Sequence, residues 1–542
     1  MEKQNNSFTF ATNFLKVIKM NKLKVACLTA AIASSSVSFA GGLLTNTNQN
    51  VAFNRMMSRE ASIGIDGVYY NPAGVVFMSE GHHLSINWQL AYQTRTIKND
   101  YLLFNNNTNN PTTPREFKGE AFAPVIPSFQ YAYNKGRWSF QGNFALTGGG
   151  GKCTFDNGLG SFEKIVGETA MGACQLAGGV DKAGAAVGAM MGLPIPQQLF
   201  TSDKMFGTKG SYSYDSYMHG RQYYFGLSVG AAYKMTDNFS VYAGVRGVYA
   251  TCNYYGYVRD IKVGSMPLYQ VLDPTKTNAA DIELSCDQSG LGFTPMVGVD
   301  FKTGRWNFSA KYEFKTRMRL KNKAVNQAPS IGNLADNLHD AYIAAGIPSQ
   351  AADAILGNEQ VQGAMAQLKQ QFDTKLDGAI GEYADGKKIA GDIPAYLTLG
   401  VGYKPVDALR VNVGFHWFDD KNATSYNNRN KKLDRGTIEW NAGAEYDINK
   451  KLTVSAGWQN TNYGLSDEYM DDKSFVVSSN SVAVGGVVHL SKKMDLQVAY
   501  FHTFYGHKKT SEEVDLGAAK INYDSDYTRN NNVFAVGLDV NF

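Results

Sequence analysis

What this 542-residue chain has least of is charge: Asp, Glu, Lys and Arg make up 18% of it, against about 25% in ordinary soluble domains. The net charge of +4 leaves no electrostatic footprint for a nucleic-acid partner. Beyond the N-terminus there is no run of about 20 apolar residues, which excludes an ordinary helical membrane protein. Histidines number eight, and His82, His83, His219, His339, His416, His489, His502 and His507 sit in no nucleophile or zinc motif. No CxxC or Cys/His cluster occurs, so neither a metal nor a cofactor is implied, no catalytic residue is assigned, and an enzyme is disfavoured. Disorder is excluded by what is present: 44% hydrophobic and 12% aromatic residues, with 55 glycines and a mean hydropathy of −0.29. The remainder is a large β-rich protein.

Lys16, Lys19, Lys22 and Lys24 precede an apolar run from Val25 to Val37, which leads into Ser38-Phe39-Ala40. A basic stretch, a short apolar stretch and small residues at the end make a secretory signal peptide over 1–40, with Met20 as an alternative start. An exported chain meets an oxidising compartment. Cys153, Cys174, Cys252 and Cys286 then stand either as two local pairs, 153 with 174 and 252 with 286, or as four unpaired thiols.

After residue 80 the chain alternates with period two. Phe534, Val536, Leu538, Val540 and Phe542 fall on one face, and Ala535, Gly537, Asp539 and Asn541 on the other. About fourteen such strands are expected. Tight turns, such as Asn134-Lys135 and Pro405-Val406, separate them at every second connection, while 98–120, 148–209, 263–280, 324–391, 421–432, 463–473 and 508–525 are longer. Short turns on one rim and long loops on the other describe an all-β, transmembrane antiparallel barrel over 81–542. A closed barrel leaves no unpaired edge in lipid. Such a barrel places the protein in the outer membrane of a Gram-negative bacterium, in contact with lipid and lipopolysaccharide, and a monomer is expected. The aromatic C-terminal Phe542 is similar to the terminal signal read by the barrel assembly machinery.

Within the insertions at about 148–209 and 324–391, apolar residues recur every three or four positions. Leu334, Leu338 and Tyr342 form one such set, and Val361, Met365, Leu368, Phe372, Leu376 and Ile380 another. Met190, Met191, Leu368 and Phe372 are candidate apolar contacts for a ligand in a capture groove. Packing of these helices on one another above the barrel is the equal alternative.

Residues 41–80 neither alternate nor reach the size of an independent core. Ahead of the first strand they are placed to plug the lumen. They also carry a resemblance: Asn54-Arg55, Ala61, Asp66 and Val68-Tyr69-Tyr70-Asn71-Pro72-Ala73-Gly74 resemble the N-terminal hatch of the FadL/TodX family of outer-membrane transporters for hydrophobic compounds. Ile393-Pro394-Ala395-Tyr396, Gly400-Val401-Gly402-Tyr403 and Gly443-Ala444-Glu445-Tyr446 resemble later strands of that family. The resemblance implies a fourteen-strand barrel closed by a hatch, with Asn71, Pro72, Ala73 and Gly74 as its motif. It also implies passive uptake of a hydrophobic ligand such as a long-chain fatty acid, with sideways release where the third strand kinks. Gly142 or Gly148 is the candidate kink. A porin-like channel, or an adhesin or scaffold barrel with no apolar ligand, is the alternative.

Over 304–323, Lys311, Glu313, Lys315, Arg317, Arg319, Lys321 and Lys323 share one face by strict alternation, with Tyr312, Phe314, Met318 and Leu320 on the other. A cation on the lipid face at the midplane costs about 2–4 kcal/mol, so the charged face is expected to line the lumen. There Lys315, Arg317 and Arg319 are candidate head-group contacts. The alternative is pairing with Glu439, Glu445, Asp447 and Asp495.

Overall fold

The computed structural model describes residues 43–542 except 196, 203–204, 208, 358–361, 363–365, 367–382 and 517–518. The signal segment 1–40, and Leu368 and Phe372, lie outside the described residues.

One antiparallel sheet of fourteen spanning strands closes on itself. Its first seven are β1 (Gly81–Tyr101), β2 (Arg115–Lys135), β3 (Trp138–Phe155), β4 (Tyr212–Lys234), β5 (Phe239–Val263), β6 (Ile282–Thr303) and β7 (Trp306–Glu313 continued by Arg319–Gln327). The rest are β8 (Lys388–Ala390 continued by Tyr396–Val406), β9 (Leu409–Phe418), β10 (Thr437–Asn449), β11 (Leu452–Tyr463), β12 (Ser479–Ser491), β13 (Met494–Tyr505 continued by Lys508–Asp515) and β14 (Lys520–Asn541). Each strand pairs with its neighbour in sequence, and β14 returns to β1 in unbroken register from His83 opposite Asn541 to Tyr101 opposite Tyr523.

Alternation turns this barrel inside out relative to a soluble protein. Along β14, Phe534 and Val536 are exposed on the outer wall, while Asn531, Val533, Ala535 and Gly537 are buried within. Trp88, Phe140, Phe308, Trp440 and Val484 extend the outer apolar surface to other strands, as a lipid-facing band requires. The inner wall is polar: Ser85, Asn87, Gln89 and Gln93 of β1 are all buried. No helix among the described residues is long and apolar enough to cross a membrane.

The long-loop rim carries α3 (Gly160–Met191), α4 (Leu334–Ala344) and α5 (Ser349–Leu356). Phe162, Val166, Ala170, Tyr342, Ala352 and Ile355 of these helices join one apolar cluster with Tyr254, Val258 and Leu284 of the wall. These described parts pack together above the barrel. Met190 and Met191, at the end of α3, are exposed. The segment expected as a loop at 508–525 is instead a hairpin that extends β13 and β14 upward.

The four described cysteines are free and buried thiols, so the local pairing of Cys153 with Cys174 and of Cys252 with Cys286 does not form.

The strand at 304–323 departs from strict alternation. Met296 lies opposite Glu313, whereas Ser289 lies opposite Lys321, so β7 holds one residue more than β6 across this stretch. One extra residue reverses which side chains face the core. Lys311 and Glu313 are buried inside, but beyond the break Thr316, Met318 and Leu320 turn inward while Arg317, Arg319, Lys321 and Lys323 are exposed outside. Lys315, Arg317 and Arg319 therefore do not line the lumen. Lys315 donates to the Asn422 carbonyl (3.1 Å) and Arg319 to Asp392 (2.8 Å). Nor do the wall acids pair with them: Glu445 and Asp447 take Arg410, Glu439 takes His416 and Asp495 takes His489.

Candidate functional site

The lumen is filled by the N-terminal segment, which carries α1 (Val51–Met56) and α2 (Gly67–Tyr70). Asn50 caps α1: its side-chain oxygen accepts from the Ala52 N–H (2.7 Å), and its amide donates to Ser85 (3.1 Å) and Gln130 (2.9 Å) of the wall. Arg55 and Arg59 both reach Glu445, and Arg59 also binds Asp66 (2.7 Å). Glu60 meets His416 at 2.6 Å, and Glu439 holds the other ring nitrogen at 2.8 Å. Because these groups are buried, removing one partner strands the other away from water.

Close approach makes these bonds possible. A Cβ at Gly443 or Gly457 would lie 2.0 or 1.7 Å from the Met56 carbonyl oxygen, and one at Gly400 would lie 2.5 Å from Glu60. With Gly414 and Gly485, which lie equally close to Glu60 and Arg55, these glycines form a smooth strip across β8 to β12 on which the segment rests.

The Asn71-Pro72-Ala73-Gly74 motif fastens the other side. The Asn71 amide donates to Asp300 of β6 (2.6 Å), and its oxygen accepts from the Gly74 N–H (3.1 Å). The Pro72 carbonyl accepts from Gln141 of β3 (2.7 Å) and the Ala73 carbonyl from Ser240 of β5 (2.7 Å). A Cβ at Gly74 would meet the Asn71 amide nitrogen at 2.4 Å, so the turn needs glycine there. One short turn thus touches three strands.

Between β2 and β3 the ladder is interrupted. Pairing runs from Lys135–Trp138 to Phe129–Phe144 and resumes only at Ala121–Cys153. Pro124 and Pro127 in the interval have no N–H to give. On the facing side β3 follows β4 through two irregularities, at Leu146/Gly148 and Gly149/Gly151. Gly149 and Gly151 adopt positive φ, +71° and +82°, which other residues resist. Gly148 sits at this departure, whereas Gly142 lies in regular pairing with both Tyr131 and Val229. The backbone groups released from β2 are taken up by the N-terminal segment: Asn46 N–H donates to the Thr147 carbonyl (2.9 Å) and Gly149 N–H to that of Leu44 (3.2 Å).

Above the segment lies a cavity of about 150 Å³. Its lining is tyrosine-rich, with Tyr224, Tyr254, Tyr383, Tyr426 and Tyr469, and polar in part, with Gln222, Gln288, Asp392, Asp420 and Arg429. Leu43 and Leu44 form its lower edge. Asp420, in the loop after β9, accepts from the Thr437 N–H (2.9 Å) and the Leu43 N–H (3.3 Å). Burial pushes its carboxyl up to about 6, against those two hydrogen bonds. Arg429 stacks over Tyr469 (4.3 Å) and donates to the Tyr469 carbonyl (2.6 Å) and that of Ser474.

The hatch motif expected from sequence therefore lies against the wall, and Gly148 lies at the gap. Lys315, Arg317, Arg319, Met190 and Met191 do not line the cavity. Asp420, Arg429, the tyrosines and the proline pair of β2 were not singled out in the sequence. The prolines were the available signal, since two prolines three residues apart cannot sit in a fully paired strand.

No protein-family model matches the chain, and no curated protein matches it. Among solved structures it is similar to the Ralstonia pickettii toluene transporter TbuX, at 15% identity and a TM-score of 0.48, over 91% of this chain and 98% of that one. It is also similar to a Pseudomonas aeruginosa FadL homologue at 14% identity, covering 93% of this chain and 100% of that one with a TM-score of 0.56. The chain shares the closed β-barrel fold of that FadL homologue.

Proposed function

We propose that this protein is an outer-membrane channel for passive uptake of hydrophobic and amphipathic molecules, with residues 41–80 as its hatch. One observation carries the reading: the cavity and the gap in the wall share residues. Leu44 and Tyr224 line the cavity and also abut Gly148, whose Cβ would lie 2.9 Å from the Leu44 carbonyl oxygen and 3.3 Å from Tyr224. A molecule held in the cavity is parted from the β2–β3 gap by the stretch around Leu43 to Asn46. Movement of that stretch joins the two and releases the molecule sideways into lipid.

A cavity of this size holds a group about as large as a benzene ring. That suits a small aromatic molecule, or the head end of a chain such as a long-chain fatty acid. Arg429 is the cation that lines the cavity among the described residues, and it takes the carboxylate role first given to Lys315, Arg317 and Arg319. In this reading the long-loop rim faces the exterior, and Phe542 lies on the opposite rim for the assembly machinery. An open porin is disfavoured because polar anchors hold the segment across the lumen. A scaffold would need only the loops.

Closing the gap tests the route. A Cβ at Gly151 would stand 3.6 Å from that of Ala123, within disulfide range. Ala123→Cys with Gly151→Cys, in a Cys153→Ser background, is compared oxidised and reduced, because the positive φ of Gly151 strains any side chain there. Uptake of a labelled fatty acid or of toluene is expected in the reduced protein and is abolished on oxidation. Unchanged uptake in the oxidised protein rejects the lateral route. No difference for any apolar compound between cells lacking the protein and cells restored with it favours the scaffold.

A further inference from the structure

The register change in β7 leaves a row of cations on the outside of the barrel. Along this strand the outward residues Trp306, Phe308 and Phe314 are apolar and span about 26 Å of chain at ~3.3 Å per residue, which at the tilt of such strands is about 20 Å of height, most of a lipid-facing band about 25 Å tall. Arg317, Arg319, Lys321 and Lys323 follow at once, all exposed. Lys388 of β8 stands directly opposite Lys321 and is exposed as well. Like charges directly opposite each other across two strands are destabilising.

The acids on this face offset the row in part, at Arg319 and opposite Lys323, while among the described residues no ion pair reaches Arg317, Lys321 or Lys388. Asp392 is taken by Arg319 and the Met318 N–H. Asp385 accepts from the Ala324 N–H, and Asp287, in register with Lys323, accepts from Asn253. The carbonyls of Arg319 and Arg317 lie against Gly290 and Gly292 of β6, which sets Leu291 and Phe293 beside the row. Those two side chains are 68% and 69% exposed, so apolar and cationic groups meet at one level.

We propose that this patch binds the phosphate groups of a lipid A-type glycolipid, with its acyl chains on Leu291 and Phe293 and its phosphates between Arg317, Lys321 and Lys388. Cations at the edge of an apolar band attract anionic lipid headgroups, and guanidinium groups hold phosphate by paired charge-assisted bonds. A soluble polyanion would use the cations but gain nothing from Leu291 and Phe293. The identity of the lipid rests on the outer-membrane location proposed above. Membrane fractionation tests that location separately.

The test uses the full-length mature protein, purified in a zwitterionic detergent. Binding of bisphosphorylated lipid A and of its dephosphorylated form is measured by native mass spectrometry. The expected result is at least about tenfold tighter binding of the phosphorylated lipid, lost in Arg317→Gln/Lys321→Gln/Lys388→Gln and kept in Arg259→Gln, a cation on another part of the wall. Equal binding of the two lipids by the unaltered protein overturns the proposal, as does a triple variant that binds like it. Equal losses in the triple variant and in Arg259→Gln also overturn it.

Discussion

Asn71 works as a joint between the filled lumen and the wall, because one carboxamide both closes its own turn and binds a buried acid. Asn71→Ala leaves Asp300 with only Asn307 among its side-chain donors. We expect a loss of about 1–3 kcal/mol, read as a lower unfolding midpoint in detergent, together with a rise in bilayer conductance. Asp420 makes a different demand. It holds its proton more tightly in the folded chain than in the unfolded one, so its contribution favours the fold below about pH 4, falls as pH rises toward about 6, and is constant above that. Asp420→Asn is expected to remove that decline, and an unfolding midpoint measured from pH 4 to 7 checks it. At this scale the sequence was half legible. The Asn-Pro-Ala-Gly run stood out, but its partners Gln141, Ser240 and Asp300 are scattered over three strands and no local pattern joins them.

The strands themselves were legible because lipid outside and a polar filling inside impose period two on every one of them. The reversal in β7 was not. A one-residue irregularity leaves no mark in composition, and strict alternation placed Arg317 on the wrong side of the wall. The break of the β2–β3 ladder was partly written in Pro124, Pro127 and the glycines from 148 to 151. The glycine strip under α1 was visible only as an excess of glycine, since its purpose depends on a segment hundreds of residues earlier in the chain. Its consequence can be tested at one position. Gly457→Val places a side chain where the Met56 carbonyl oxygen lies, and Gly457 also faces Gly443 across the ladder. We expect the barrel to assemble, with the segment dislodged and Arg55 separated from Glu445. Bilayer conductance and protease sensitivity near Met57 should both rise, whereas Gly247→Val in β5, which has no positive φ and would meet only Phe293, at 3.7 Å, should change neither.

For the molecule as a whole, the regular alternation of tight and long connections made fourteen strands and a closed sheet readable. Neither the cavity nor its link to the gap was readable, because its lining joins residues from the N-terminal segment, several strands and three loops. The proposed route is likewise a property of the whole. Joining Ala123→Cys to Gly151→Cys should leave ligand binding in detergent intact while abolishing uptake by cells, because capture and release use different parts of the wall. A loss of both would mean that the cavity itself had been disturbed.

Chain order adds a constraint on biogenesis. The segment that fills the lumen precedes every strand of the barrel in the chain, and β14, the strand that seals the ring against β1, follows all the others. Helices crowd one mouth of the finished cylinder. The segment must therefore wait, solvated, until β14 arrives, and enclosure becomes a matter of timing as much as of affinity.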